Sequence, residues 1–169
     1  MNKSAVETAP RGLALPVGGM VVYVLLIILS IAGIGVSAYL LWGYTTPGAT
    51  LACGGSHGCE TVKNSAYASL FGIPMPVYGL VIYLGLLALL IAQNHPASVE
   101  RNLSPYIGLA IFGASLVGVL FSAYLTYLEL YVILAICYWC VASAVIMSGI
   151  FVGSMFNLRY VNQYFSFEG

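Results

Sequence analysis

Four cysteines give this chain its most distinctive chemistry, and they fall into two pairs. Cys137 and Cys140 form the motif Cys-Tyr-Trp-Cys. Three residues apart on a helix, their side chains share a face. In the first turns of a helix, the partial positive charge of the backbone stabilises a thiolate and lowers its pKa. A disulfide between them closes a very small loop, so it restrains the unfolded chain little and adds modest stability. A redox role explains the pair better than a structural one. Cys53 and Cys59 stand with five residues between them, flanked by Gly54, Gly55 and Gly58. Glycine costs stability by widening the unfolded ensemble, so its density here points to a segment that must move. Such a loop disulfide can swing between an external partner and the second pair. A simple loop staple is the competing reading.

Exchange proceeds by thiolate attack on a disulfide sulfur, through a mixed disulfide. Two pairs in series let electrons travel from outside a membrane to its boundary. The final acceptor must take two electrons, dissolve in lipid and present a flat ring near Cys140. A quinone meets these demands. Below Cys140, Ala144 and Ser148 follow at helical spacing; their small side chains either leave room for a ring or simply pack.

The elements that position these sulfurs are spans. The 169 residues suit one domain. Hydrophobic residues make up 61% and charged residues 6%, against roughly 25% charged in ordinary globular domains, which excludes a soluble protein. The net charge of zero leaves no basic field for nucleic acid. The expected fold is an all-α membrane protein, a bundle of four transmembrane helices with an extracytoplasmic half-helix lid. The spans are expected at Val17–Tyr44, Pro76–Ala92, Pro105–Tyr127 and Val132–Asn157, none with an internal Lys, Arg, Asp or Glu. No cleavable signal peptide is expected; residues 1–16, with Lys3, Glu7 and Arg11, read as a cytoplasmic tail, residues 17–157 as the transmembrane domain and 158–169 as a second cytoplasmic tail.

Orientation follows from basic residues. With both termini on one side, that side receives Lys3, Arg11, Arg101 and Arg159, and the other only Lys63. The termini and the Gln93–Ser104 loop are therefore expected in the cytoplasm. The Thr45–Ile73 loop and a short turn near Glu129 face outward, with Tyr44, Tyr124, Tyr127, Tyr131, Tyr138 and Trp139 at the outer interface. Ala110, Ala114, Gly118 and Ser122 form a small-residue stripe on the third span, and Gly33 and Ser37 one on the first. After Cys59, Val62, Ala66, Ser69 and Leu70 fall near helical spacing, so a short interfacial helix ending at Gly72 is expected as the lid. Ser65 then points inward to donate a hydrogen bond to a quinone oxygen, or else bonds the backbone.

Other readings carry less. Cys-x5-Cys is a poor chelating spacing, so no metal is expected. No histidine follows Cys140, so covalent haem attachment is unsupported. His57 reads as a solvated loop residue, with thiolate assistance as the alternative, and His95 as inert. Glu129 reads as an exposed turn residue, with tuning of a pKa near Cys137 or proton delivery to a quinone as the alternatives.

Cys53 and Cys59, then Val62, Ser65 and Tyr67, then Gly72-Ile-Pro74 with Gly79, and finally Cys137-Tyr-Trp-Cys140 together resemble the vitamin K epoxide reductase (VKOR) family in its bacterial form, over roughly residues 17–157. The resemblance implies a four-helix bundle around a quinone such as ubiquinone or menaquinone. It implies that Cys140 meets the quinone, that Cys137 exchanges with the loop through Cys59, and that Cys53 meets the external partner. Ser65 matches the family's serine beside the active site. Similar bacterial proteins reoxidise a thioredoxin-like oxidase and so drive disulfide formation outside the plasma (inner) membrane. Because the chain stops at Gly169, that partner is expected to be a separate protein. Vertebrate members carry a tyrosine where this chain has Ala144, and an asparagine in the second span that is absent here, so an ordinary quinone is the expected substrate rather than an epoxide. A second quinone-linked bacterial family places its Cys-x-x-Cys first along the chain, the reverse of the order here. A non-catalytic membrane scaffold stapled by disulfides is the alternative of a different class.

Overall fold

Long apolar runs surrounded by lipid leave backbone N–H and C=O groups only one another to bond, and a helix satisfies them within one segment. The computed structural model describes residues 17–53 and 57–168, with side chains to Gln163. The tail expected over residues 1–16, and Gly54 and Gly55, lie outside the described residues. Among these, four helices are long and apolar enough to cross a membrane: α1 (Val17–Thr45), α3 (Met75–Gln93), α5 (Ser104–Tyr127) and α6 (Tyr138–Glu168). The shortest has 19 residues and reaches about 28 Å at 1.5 Å per residue, against a hydrocarbon core of about 30 Å. Two short helices lie in the connections, α2 (Gly58–Lys63) and α4 (Pro96–Glu100). The inert role expected of His95 becomes a cap: its Nδ1 accepts the N–H of Ala97 at the start of α4.

The four long helices form a ring in which α1 and α5 each pack against α3 and α6. Leu26, Tyr83, Leu86, Leu90, Ile111, Met147 and Ile150 fill its centre. Leu25, Ile28, Val81, Leu84, Leu120 and Val145 face outward, an apolar surface suited to lipid. Lipid removes most of the hydrophobic drive for helix association, so close packing and interhelical hydrogen bonds must carry it. Tyr83 donates its hydroxyl to the Ser143 carbonyl at 2.9 Å, and Ser115 and Ser154 share a hydrogen bond at 3.1 Å. Gly33 and Ser37 are both buried, as expected. The stripe expected on α5 is displaced: Ala110 is exposed, and the buried row is Ser104, Gly108, Ile111, Ser115 and Gly118. Steps of four drift about 40° per step around a helix of 3.6 residues per turn, whereas alternating steps of four and three stay on one face.

The first three helices begin and end within one residue of the expected spans. The fourth does not. The chain after Tyr127 continues as a π-helical turn, Leu128–Ile133, and ends at Leu134 in the left-handed region (φ 55°). The fourth helix therefore starts at Tyr138 rather than Val132, and it runs on through residues 158–168, which read as a tail from sequence. The lid is also shorter than expected. The helix holding Cys59 stops at Lys63, and Ser69–Leu70 (β1) pairs with Ile73–Pro74 (β2) in a hairpin. Its two turn residues, Phe71 and Gly72, both have positive φ (52° and 77°), the signature of a type I′ turn. Gly72 thus serves the hairpin and not a helix end. Tyr78 of α3 holds the hairpin by donating its hydroxyl to the Leu70 carbonyl at 2.9 Å.

A β-carbon on Gly33 would overlap the ring of Tyr83. Gly33→Leu is therefore expected to lower the thermal stability of the detergent-solubilised protein, by about 1–3 kcal/mol for forced overpacking. An unchanged melting temperature would show that α1 and α3 are not packed at this point.

Candidate redox site at one end of the bundle

Cys53 and Cys59 form a disulfide, and Cys137 and Cys140 are free. All but Cys140 belong to one buried cluster with Leu40, Leu51 and Val62, and Cys140 packs against it. The approach of the two pairs rests on backbone contact. Gly58 lies so close to the carbonyl oxygen of Ile136 that a β-carbon would overlap it. Gly58 precedes Cys59 and Ile136 precedes Cys137, so the contact brings the two cysteine-bearing segments together. Cys59 is 1% exposed and Cys137 2%.

Polar groups clamp the loop onto the bundle. The carboxylate of Glu60 accepts the N–H of Leu51 at 2.9 Å, and Lys63 donates to the carbonyl of Ala49 at 3.0 Å. The Trp139 indole donates to the carbonyl of Ala52 at 2.8 Å, while the N–H of Ala52 donates to the Tyr39 hydroxyl at 3.0 Å. The rings of Tyr39 and Trp139 pack with centroids 4.7 Å apart. Both backbone groups of the residue before Cys53 are thereby held by α1 and α6. Sequence reasoning missed Tyr39 and Glu60 and gave Trp139 only an interfacial role; the one signal available was the position of Trp139 inside the Cys-x-x-Cys motif.

Cys137 immediately precedes α6. Its carbonyl accepts the N–H of Val141, and its sulfur accepts the N–H of Cys140 at 3.3 Å, in the manner of an N-capping side chain. The Cys140 thiol donates to the same sulfur, with 2.7 Å between them. That donated bond holds the Cys137 pKa below its ordinary value, against the burial that pushes it up. Cys137 is thus the sulfur prepared as a thiolate, on the side facing Cys59.

Cys140 faces the other way, into a cavity of about 80 Å³ between the helices. Each enclosed water needs roughly 10–15 Å³ of such volume, so the space holds more than one. Ala144 lines it, beside Ser143, Ser37, Tyr44 and Tyr83. A second void shares Cys140, Tyr44 and Glu129 with the first and is bounded by Val62, Tyr67 and Ala68 beneath the lid. Ser65 lines neither cavity; its hydroxyl donates to the Val62 carbonyl at 2.8 Å, which is the backbone-bonding role. Ser148 is exposed and donates to the Ala144 carbonyl. His57 is exposed and makes no side-chain cap bond.

Glu129 departs most from expectation. It is 5% exposed, not a solvated turn residue. Its carboxylate accepts the N–H of Cys137 at 3.1 Å and lies within 4.8 Å of both Cys137 and Cys140 sulfurs. Its backbone carbonyl accepts the N–H groups of Leu134 and Ala135. One residue therefore closes the chain reversal that delivers the Cys-x-x-Cys motif. Three donors fall one short of the closed four-ligand cage of a structural zinc site, and two of them are the sulfurs that disulfide exchange requires.

The family model for the Vitamin K epoxide reductase family matches residues 12–155. The thiol-disulfide oxidoreductase LTO1 of Arabidopsis thaliana is 32% identical over 125 residues, covering 73% of this chain and 33% of that protein. The chain thus spans about a third of the length of that relative. With four membrane-crossing helices, a loop disulfide and a Cys-x-x-Cys pair meeting at one end, this chain belongs to the vitamin K epoxide reductase family.

Proposed function

We propose that the protein is a membrane thiol oxidoreductase that passes electrons from a thioredoxin-like partner outside the membrane, through Cys53–Cys59 and then Cys137–Cys140, to a quinone. The observation that carries this is the buried cluster of Cys53, Cys59 and Cys137, against which Cys140 packs while opening onto a cavity between the helices. In the plasma membrane of a bacterium, such a protein sustains disulfide formation in secreted proteins. The excess of Lys3, Arg11, Arg101 and Arg159 over Lys63 supports cytoplasmic termini and an extracytoplasmic redox end.

Each residue has a task in this scheme. A partner thiolate attacks Cys53, and Cys59 leaves as a thiolate; the partner's second thiolate then closes the partner's own disulfide and releases Cys53 as a thiolate. Cys59 attacks Cys137 of the inner disulfide, and Cys140 leaves; resolution by Cys53 restores the outer bond and leaves Cys137 and Cys140 reduced. The bonding state of the four sulfurs in the structure corresponds to this last stage. The cavity fits a flat apolar acceptor, since Ala144 leaves space beside Cys140 and Tyr83, Ser143 and Ser37 supply sparse polar groups. A bound quinone supplies a two-electron, two-proton sink.

The decisive assay is dithiothreitol-driven reduction of a short-tailed ubiquinone by the purified protein. Wild type is expected to turn over, and Cys140→Ala to lose activity while remaining folded; a Cys140→Ala protein that instead unfolds would favour the scaffold alternative. The order of exchange is tested in Cys53→Ser/Cys140→Ser, where Cys59 and Cys137 are expected to form a disulfide identified by mass spectrometry. With Cys59→Ser/Cys140→Ser in parallel, preferential linkage of Cys53 to Cys137 would reverse the order. Finally, Cys140→Ala removes the donor to Cys137, so the pH midpoint of Cys137 alkylation is expected to rise. A depressed pKa keeps the thiolate present at lower pH, and losing the cause moves its onset upward. An unmoved midpoint would place the cause elsewhere.

A further inference from the structure

Glu129 is one of five acidic residues in the chain and the only carboxylate among the described residues that line either cavity. Burying a carboxylate in a membrane protein is costly unless it is paired or performs a task. Among the described residues, no Lys, Arg or His lines these cavities. The carboxylate accepts the N–H of Cys137. It sits on a π-helical turn ending in a left-handed leucine, and both irregularities are frequent at functional sites. The titratable groups facing it are Tyr44 from α1, Tyr83 from α3, Tyr67 from the lid segment, and the sulfurs of Cys137 and Cys140.

We propose that Glu129 carries a proton from the Cys137–Cys140 dithiol to the electron acceptor in the cavity. This rests on the quinone reading above and deepens it. Forming the Cys137–Cys140 bond releases two electrons and two protons. The electrons pass to the quinone, which becomes a hydroquinone by taking two protons. The Cys137 proton leaves to water when its thiolate forms. The Cys140 proton passes to the Glu129 carboxylate and on to one ring oxygen, and water returns a proton to the other. Glu129 ends unchanged. Geometry supports the transfer: one carboxylate lies within 4.8 Å of both sulfurs and shares both cavities with Cys140.

The test is Glu129→Gln, which retains an oxygen to accept the Cys137 N–H but cannot carry a proton. The expected result is a fall of about 10²-fold or more in dithiothreitol-driven reduction of short-tailed ubiquinone, the lower end of general acid–base contributions. The melting temperature and the exchange between the two cysteine pairs should stay at wild-type values, and the pH–rate profile should lose one ionisation. A wild-type rate overturns the proposal, as does a slow variant whose pH profile keeps every ionisation, since that marks a positioning role only. If the variant does not fold, redox-difference infrared spectra of wild type decide. A carboxyl band that changes between dithiol and disulfide forms supports the proposal, and its absence overturns it. A wild-type protein that reduces no quinone defeats the functional reading itself and takes this inference with it.

Discussion

The contact between Gly58 and the Ile136 carbonyl decides whether this site works. It is a backbone-to-backbone approach with no room for a β-carbon, and it joins two segments that hydrophobic burial alone would not align. Around it, the clamps from Glu60, Lys63, Tyr39 and Trp139 fix the loop in register. Each is a modest interaction, worth about 1 kcal/mol net for a neutral hydrogen bond. Together they hold Ala49, Leu51 and Ala52, the residues that lead into Cys53. The result is a junction at which Cys59 and Cys137 are both almost completely buried.

The rest of the bundle can be rigid because this end carries the reactive groups. Away from the cysteines, Gln93 of α3 bonds both Ser104 of α5 and Asn157 of α6. In lipid such polar contacts and small-residue packing replace hydrophobic drive. At the redox end the regular helix gives way. The π-helical turn at Leu128–Ile133 turns Glu129 inward, and the left-handed Leu134 ends the helix so that Cys137 can cap the next one. Relaxing helical geometry here costs little because Glu129 takes up the N–H groups of Leu134, Ala135 and Cys137.

Sequence carried the spans and sulfur pairs because both depend on composition and spacing. Both ends of three helices fell within one residue, set by Pro76, Pro105 and the polar loop ends. The start of the fourth was hidden because Val132, Ile133 and Leu134 are as apolar as a span, and hydropathy does not register a change of helical type. The four-residue step from Cys140 to Ala144 made it legible that the two share a helix face, and both line the cavity. The Ser65 hydroxyl was ambiguous, since serine bonds a quinone oxygen and a local carbonyl equally well, and here it bonds the Val62 carbonyl. The hairpin escaped because Phe71 adopts positive φ, which a bulky residue rarely does and which no local pattern announces. The burial of Glu129 was the deepest omission: a lone glutamate between tyrosines reads as solvated until the chain reversal around it is known.

The two sulfurs of the inner pair divide the labour by the surfaces they face. Cys137 lies at the helix start, where backbone N–H groups and the Cys140 thiol favour its thiolate, and it faces the loop pair in the buried cluster. Cys140 is one helical turn on and borders the cavity. In the proposed scheme, electrons cross from protein chemistry to lipid-soluble chemistry over a single S–S bond, without either reactant entering the other's environment. Protons cannot follow that bond, because sulfur–sulfur exchange moves none. A site that works in this way needs a separate path for protons, and the buried Glu129 carboxylate, within 4.8 Å of both sulfurs, occupies the position that the proposed path requires.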